Sequence, residues 1–165
     1  MELRGRGRDR AGVAGLRDHR RGTVGMRVLL DSNAYAQLMR GREQVGRIVR
    51  GSEEVLLSTV VLGELLYGFR HGSRYERNAR QMRAFLDNPY VSVVRVGETT
   101  ADRYSRIAAT LRAKGRPIST NDIWIAAHVM ETGADLVSAD RHFEHVDGIA
   151  WLRLRDEHRQ APPPL

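Results

Sequence analysis

Short apolar runs alternate with longer stretches of helical periodicity from Met26 onward. The apolar runs predict five strands, over residues 27–30, 55–58, 91–96, 135–140 and 148–154. Helical spacing predicts intervening helices over 33–41, 42–50, 59–69, 74–87, 100–114 and 121–133. Because strands that alternate with helices need crossover connections, we expect an α/β fold with a mostly parallel central β-sheet and α-helices on both faces.

Several residues are typical of helix ends. Gly41 and Gly115 follow the first and fifth predicted helices and can end them. Ser58 or Thr59 is expected to cap the third helix, and Thr99 or Thr100 the fifth. The helix over 121–133 is apolar on nearly every side, which predicts a position in the middle of the molecule.

Length and composition favour one domain. With 165 residues, 41% of them hydrophobic, the chain can bury a single core, which we place at residues 26–155. The absence of cysteine excludes disulfides and thiolate metal sites, and it is compatible with the reducing cytoplasm. The longest apolar run, over 55–69, is interrupted by polar residues and shorter than the roughly 20 residues of a membrane span, so no membrane partner is expected.

The net charge of +7 is concentrated at the start of the chain. Residues 1–25 contain seven arginines against three acidic residues and lack a sustained apolar period. They are interpreted either as a disordered arginine-glycine arm that tethers RNA, or as a segment that precedes a true start at Met26. We favour the second, because the folded pattern begins abruptly there. Residues 156–165 are predicted to form a flexible, proline-rich tail.

Four acidic residues occupy informative positions. Asp31 ends the first predicted strand, and Asp140 follows a later one. Asp122 begins the apolar helix, and Glu64 has only uncharged neighbours on its helix face. Since ligands of open parallel sheets bind at the carboxyl ends of the strands, the acids are expected to meet at a site there.

Each acid also has a structural interpretation. The aspartates could cap or start helices, and Glu64 could pair with a distant arginine. One metal site would account for all four, because crowded carboxylates remain ionised at neutral pH only with a cation between them. Carboxylate oxygens suit Mg²⁺ or Mn²⁺, which predicts metal-dependent phosphodiester hydrolysis.

Four segments resemble the PIN domain (PilT N-terminus nuclease fold), and more narrowly the VapC-type toxins of bacterial toxin–antitoxin pairs. They are "LLDSN" at 29–33, "STVVLGELLYG" at 58–68, "GRPISTNDIWIAA" at 115–127 and "LVSADRHF" at 136–143. The resemblance implies a metal-dependent RNA endonuclease, commonly dimeric, which an antitoxin silences by covering its active-site groove. The residues that it implies for the catalytic metal site are Asp31, Glu64, Asp122 and Asp140, with Asn33 and Ser138 as polar support.

Other residues have both a functional and a structural interpretation, and Arg116 is the first. Arg116 precedes the loop before Asp122 and could contact RNA phosphate, although an ordinary surface arginine fits equally well. His142 and His145 have the spacing of a ligand pair, but we interpret them as solvated loop residues because no third ligand of that type lies nearby. Trp124 and Tyr67 are expected in the core rather than as platforms on which bases stack.

Three other functions are compatible with parts of the pattern. A haloacid-dehalogenase-like phosphatase would use Asp31 as nucleophile, with Asn33 in place of its second acid and Lys114, the sole lysine, as catalytic lysine. A catalytically silent module would bind RNA or an antitoxin only. An RNA-processing nuclease without an antitoxin would share the acids but lack the partner.

Overall fold

The computed structural model describes residues 25–155. The proposed leader up to residue 24 and the tail over 156–165 lie outside the described residues. The strands are β1 Arg27–Leu30, β2 Glu54–Ser58, β3 Val91–Val94, β4 Asp135–Ser138 and β5 Trp151–Arg153. They form one sheet in the order β3-β2-β1-β4-β5, in which every pairing is parallel. The predicted α/β class is therefore confirmed.

Six α-helices connect the strands. They are α1 Ser32–Met39, α2 Glu43–Arg50, α3 Thr59–His71, α4 Tyr75–Leu86, α5 Glu98–Ala113 and α6 Thr120–Thr132, and a 3₁₀ helix follows at Arg141–His145. None of the helices in this part of the chain is long and apolar enough to cross a membrane.

The central strands are covered on both faces. Val28, Leu29 and Leu30 of β1 are fully buried, although consecutive strand residues point to opposite sides of the sheet. Leu136 and Val137 of β4 are also fully buried. A continuous apolar run is what a parallel strand needs when helices pack on both of its faces.

The strand order reverses between β1 and β4. The chain adds β2 and β3 on one side of β1, and then β4 and β5 on the other. Leu30 pairs with Val137, and the Asp31 N–H donates to the Val137 carbonyl at 3.2 Å. This reversal opens a crevice beyond the carboxyl ends of β1 and β4, the usual ligand position in such sheets.

Most predicted helix ends are confirmed. Gly41 and Gly115 have φ angles of +73° and +64°, a region that glycine enters without strain, and each follows the C-cap residue of a helix. The Ser58 hydroxyl accepts from the Val60 N–H at 3.0 Å as the N-cap of α3. The Thr99 or Thr100 cap is wrong, because α5 begins at Glu98 after Gly97 as N-cap, and Thr100 lies buried within the first turn.

Two further differences concern exposed residues. β3 ends at Val94, so residues 95 and 96 are outside the predicted strand, and Val96 is exposed. Tyr67 was expected in the core, but it is 68% exposed, which makes that prediction wrong. Trp124 is half-buried and stacks on Tyr104 of α5 at 4.2 Å between ring centroids. The predicted central position of α6 is confirmed by its six buried residues.

Candidate active site

An open cleft lies beyond the carboxyl ends of β1 and β4. Its volume is about 530 Å³. All four acids predicted from the sequence line it, together with the other lining residues Ser32, Asn33, Ile125, Ala139, Arg141 and His142. Asp31, Glu64, Asp122 and Asp140 therefore share one solvent-accessible space, although 109 positions separate the first from the last.

Asp31 is the most buried of these acids, with only 6% of its surface exposed. One carboxylate oxygen accepts from the Ala34 N–H at 2.7 Å, and the other accepts from the Ser138 hydroxyl. Asp31 is thus also the N-cap of α1. These two hydrogen bonds fix the orientation of the carboxylate at the floor of the cleft.

Asp122, Asp140 and His142 form the tightest group of potential metal ligands. One ligand atom from each side chain lies within 4.8 Å of the others. The His142 Nδ1 is 3.1 Å from Asp140 Oδ1 and 3.8 Å from Asp122 Oδ2. His142 is exposed, as expected of a solvated residue, but it lies in a 3₁₀ helix that turns its ring toward both acids and makes it a further candidate ligand.

Glu64 projects from α3 into the same cleft. Its two carboxylate oxygens accept hydrogen bonds from the Ser32 hydroxyl and, at 2.8 Å, from the Asn121 side-chain amide. Ser32 starts α1 and Asn121 lies beside Asp122 on α6, so Glu64 links three helices. No arginine pairs with Glu64 within residues 25–155, and the interpretation as a distant ion pair is not supported there.

The crowding of acids changes their proton affinities. Burial raises the pKa of Asp31 from 3.8 to about 6; the Ser138 and Ala34 hydrogen bonds oppose the rise, and the charges of Asp140 and Asp122 add to it. Burial also raises the pKa of Asp122, and the carboxylates of Asp140 and Glu64 contribute to that rise. Neighbouring carboxylates therefore make Asp31 and Asp122 harder to ionise, and a bound cation would relieve this.

The remaining predicted site residues differ in whether they line the cleft. Asn33 lines the cleft, and its side-chain oxygen accepts from Gln37 Nε2 at 2.8 Å. Ser138 is fully buried beneath Asp31, and its hydroxyl donates to the Asp31 carboxylate and accepts from the Asp140 N–H at 2.9 Å. Arg116 is exposed and does not line the cleft, whereas Arg141, which the sequence analysis missed, does.

The structural interpretations of the aspartates are also correct. Asp140 caps the 3₁₀ helix by accepting from the His142 N–H at 2.9 Å, and Asp122 lies in the first turn of α6. The capping role and the cleft position coexist, because a helix that starts at a strand end places its first residues at the mouth of the crevice. The sequence signals only the turn in which Asp140 caps the backbone two residues on; the nearness of the His142 ring to Asp122 depends on another helix.

Comparison with known proteins agrees with this architecture. A profile of the PIN domain family matches residues 28–149. Ribonuclease VapC1 of Haemophilus influenzae strain R2866 is 28% identical over 129 residues, which cover 74% of this chain and 94% of that protein. A tRNA(fMet)-specific endonuclease VapC of Shigella flexneri is 31% identical over 97 residues, covering 58% of this chain and 72% of that protein.

A solved structure extends the similarity to three dimensions. DNA-bound VapBC from Salmonella typhimurium contains a chain that superposes with a TM-score of 0.69 at 26% sequence identity. The alignment covers 78% of this chain and 98% of that one.

Proposed function

Because this chain belongs to the PIN domain family, we propose that it is a metal-dependent endoribonuclease of the VapC type, the toxin of a type II toxin–antitoxin pair. The relatives named ribonuclease match it over most of their length, and one of them is named for endonuclease action on a tRNA. The substrate is RNA, and the bond that is hydrolysed is the phosphodiester.

One observation carries the catalytic part of the proposal. Four carboxylates line a single open cleft, and no arginine or lysine of the described chain neutralises Asp31, Glu64 or Asp122. A cluster of this kind is costly in the absence of a cation, and its open position permits a polymer to reach it. These properties suit a nuclease better than a structural acid cluster.

The donor set fits Mg²⁺ or Mn²⁺. Asp31, Asp122 and Asp140 offer oxygen ligands, His142 adds a nitrogen, and Glu64 completes the acidic wall. When bound, the ion would supply water activation and neutralise the negative charge that develops on the phosphate.

The chain's own residues prepare this site. The Ser138 hydroxyl and the Ala34 N–H hold the Asp31 carboxylate, while Ser32 and Asn121 hold that of Glu64. Fixed carboxylates need no reorganisation during the reaction, which is how preorganised sites lower barriers. Arg141 at the cleft provides a guanidinium that can bind a non-bridging phosphate oxygen.

A cleavage experiment with matched variants tests the proposal. Purified protein, freed of any co-purifying partner, is incubated with total RNA in Mn²⁺, Mg²⁺ or EDTA. Asp122→Asn should abolish discrete cleavage, whereas Asp102→Asn, at an exposed aspartate of α5 outside the cleft, should retain it. Intact RNA in every metal condition, with folded wild-type protein, would contradict the proposal.

The antitoxin is the proposed protein partner. The similarity to VapC1 and to the VapBC structure supports a cognate antitoxin that binds the toxin and silences it. A homodimer and action in the cytoplasm, where the RNA substrate is found, belong to the same proposal. Co-expression with the product of an adjacent small gene should yield a stable complex with suppressed cleavage, and light scattering should give the mass of a dimer for the free toxin.

The phosphatase alternative is not supported by the position of its required lysine. Lys114 Nζ donates to Asp147 at 2.5 Å and to the His145 carbonyl at 3.3 Å, and it does not line the acidic cleft. A haloacid-dehalogenase-like mechanism therefore lacks its cation at Asp31. The silent binding module is disfavoured because all four acids face the cleft.

A further inference from the structure

Beyond Glu64, α3 presents an exposed aromatic face. Tyr67 and His71 lie three and seven residues after Glu64, and so on the same side of the helix. Their rings are in contact, with centroids 4.2 Å apart, and Tyr67 is 68% exposed. An exposed aromatic pair of this kind is not explained by the core, since the apolar side of α3 contains Val61 and Leu65 instead.

Arginines lie next to the aromatic pair along the chain, in the last turn of α3, the connecting loop and the first half of α4. Arg70, Arg74, Arg77 and Arg80 are all exposed, and none of them forms an ion pair within residues 25–155. The Arg70 guanidinium lies 4.6 Å from the centre of the Tyr75 ring. Residues 72–77 and Arg80 line a shallow groove of about 410 Å³ at the loop after α3 and the first turns of α4.

The six side chains that form this surface are Tyr67, Arg70, His71, Arg74, Arg77 and Arg80, and we call them the α3–α4 surface. Glu76 is the acidic residue among residues 65–86, so the net charge of the surface is strongly positive. Positive charge combined with exposed aromatic rings is the combination that binds single-stranded nucleic acid, through phosphates and stacked bases respectively.

The surface begins about one helical turn beyond Glu64, the residue of α3 that lines the active-site cleft. From Glu64 to His71 the helix rises about 10 Å, comparable to three stacked nucleotides at about 3.4 Å each. A strand with its scissile phosphate at the acids would therefore reach Tyr67 first and the arginines next.

We propose that the α3–α4 surface binds the single-stranded RNA that flanks the scissile phosphate, with bases on Tyr67 and His71 and phosphates on the arginines. This proposal rests on the proposed ribonuclease function and adds the site that holds the substrate outside the metal centre. Charge complementarity favours RNA over an apolar partner, because a protein interface of this polarity would leave four guanidinium groups without counter-charges.

Binding of a fluorescein-labelled single-stranded oligoadenylate, measured by fluorescence anisotropy in EDTA, tests the surface without cleavage. Tyr67→Ser should weaken binding about tenfold, the effect of losing one stacked base, and Tyr67→Phe should retain affinity because the ring remains. Arg74→Gln, Arg77→Gln and Arg80→Gln combined should make the slope of log affinity against log salt shallower by about 2.

The matched control changes the same charge elsewhere. Arg47→Gln, Arg50→Gln and Arg112→Gln combined remove three exposed arginines from α2 and α5, and they should leave the salt slope less affected. If both triple variants lose the same affinity for oligoadenylate, the loss comes from the reduced net charge and not from the α3–α4 surface, and the proposal is overturned. Because all substituted side chains are exposed, circular dichroism should show unchanged folding.

Two other outcomes would assign the surface to a different partner and overturn the proposal. One is conversion of a dimer to a monomer by Tyr67→Ser with unchanged RNA affinity; the other is loss of antitoxin co-purification with unchanged RNA affinity. The proposed ribonuclease activity can fail separately. If wild-type protein binds oligoadenylate through this surface but cleaves no RNA with Mn²⁺, the proposed ribonuclease activity is contradicted and RNA binding by the α3–α4 surface is supported.

Discussion

The Ser138 hydroxyl donates a hydrogen bond to the Asp31 carboxylate and so joins the carboxyl ends of β1 and β4. Both residues are buried, and the Ser138 hydroxyl also accepts from the N–H of Asp140, a second acid of the cleft, at 2.9 Å. The acid at the floor of the site is therefore positioned by a hydrogen bond from the neighbouring strand together with the one from the Ala34 N–H of α1.

Removal of this hydroxyl should weaken the site without removing a carboxylate. Ser138→Ala should raise the pKa of Asp31 further, since the bond favours the ionised form. We expect the Mn²⁺ concentration for half-maximal cleavage to rise by about 10- to 100-fold, the range found when groups supporting a ligand are lost. Ser105→Ala, at an exposed serine of α5, is the control. Unchanged metal dependence would contradict the role of Ser138.

Divalent metal should stabilise the folded protein. At a concentration 100 times the dissociation constant, an ion that binds only the folded state adds about 2.7 kcal/mol to the free energy of unfolding. Thermal unfolding with and without Mn²⁺ should show this gain for wild type and Asp102→Asn, and a much smaller gain for Asp122→Asn. Equal stabilisation of all three proteins would indicate binding outside the acidic cleft.

The stability of the protein should decrease below pH 6.5 through His128. This histidine is fully buried on α6, its Nδ1 lies 3.0 Å from the Ser58 hydroxyl, and burial lowers its pKa from 6.5. As the pH falls below 6.5, the unfolded chain binds a proton that the folded chain does not, so stability is lost with decreasing pH.

Urea denaturation at about half-unit intervals between pH 5 and pH 7.5 tests whether the free energy of unfolding falls as the pH is lowered. His128→Asn should show a weaker loss of stability toward low pH than wild type, and the difference between the two should be constant above pH 7. His71→Asn, at an exposed histidine, is the matched control. Parallel curves for His128→Asn and wild type would rule out the contribution of His128.

Tyr35 carries a stability cost that one substitution can remove. Its ring is 98% buried and packs edge-on against Phe85 at 5.3 Å, but its hydroxyl has no hydrogen-bond partner among the described residues. Burial raises the pKa of this hydroxyl to about 12. Tyr35→Phe keeps the ring and should increase the free energy of unfolding by about 1 kcal/mol, because an unsatisfied buried hydroxyl is lost. If chemical denaturation instead gives a lower free energy of unfolding for Tyr35→Phe, the hydroxyl has a hydrogen-bond partner and the prediction is wrong.

The sequence predicted the acids because each has a local signature. Asp31 and Asp140 end apolar strands, and strand ends in a parallel sheet meet at one edge. Glu64 was the single charge on an otherwise apolar helix face, which indicated a special environment. Such signatures depend only on residues that are neighbours in the chain, so they can be recognised before the fold is known.

Features that depend on distant elements were not predicted. Tyr67 lies on the Glu64 side of α3, away from the buried Val61 and Leu65, so an aromatic residue that periodicity assigns to the core remains in solvent. His142 needed the position of Asp122, which another helix supplies. Thr100 was misplaced because the extended backbone at Gly97 starts the helix earlier than the threonine pair suggested.

Asp31 and Asp140 each begin a helix as well as facing the cleft, and this restricts how such a protein can lose its activity over evolutionary time. Asparagine caps a helix nearly as well as aspartate, whereas alanine does not. Descendants that abandon cleavage can therefore exchange carboxylate for carboxamide at these two positions and remain folded. Substitution by small apolar residues at these positions would remove the helix caps and lower the stability of the fold as well as abolish cleavage.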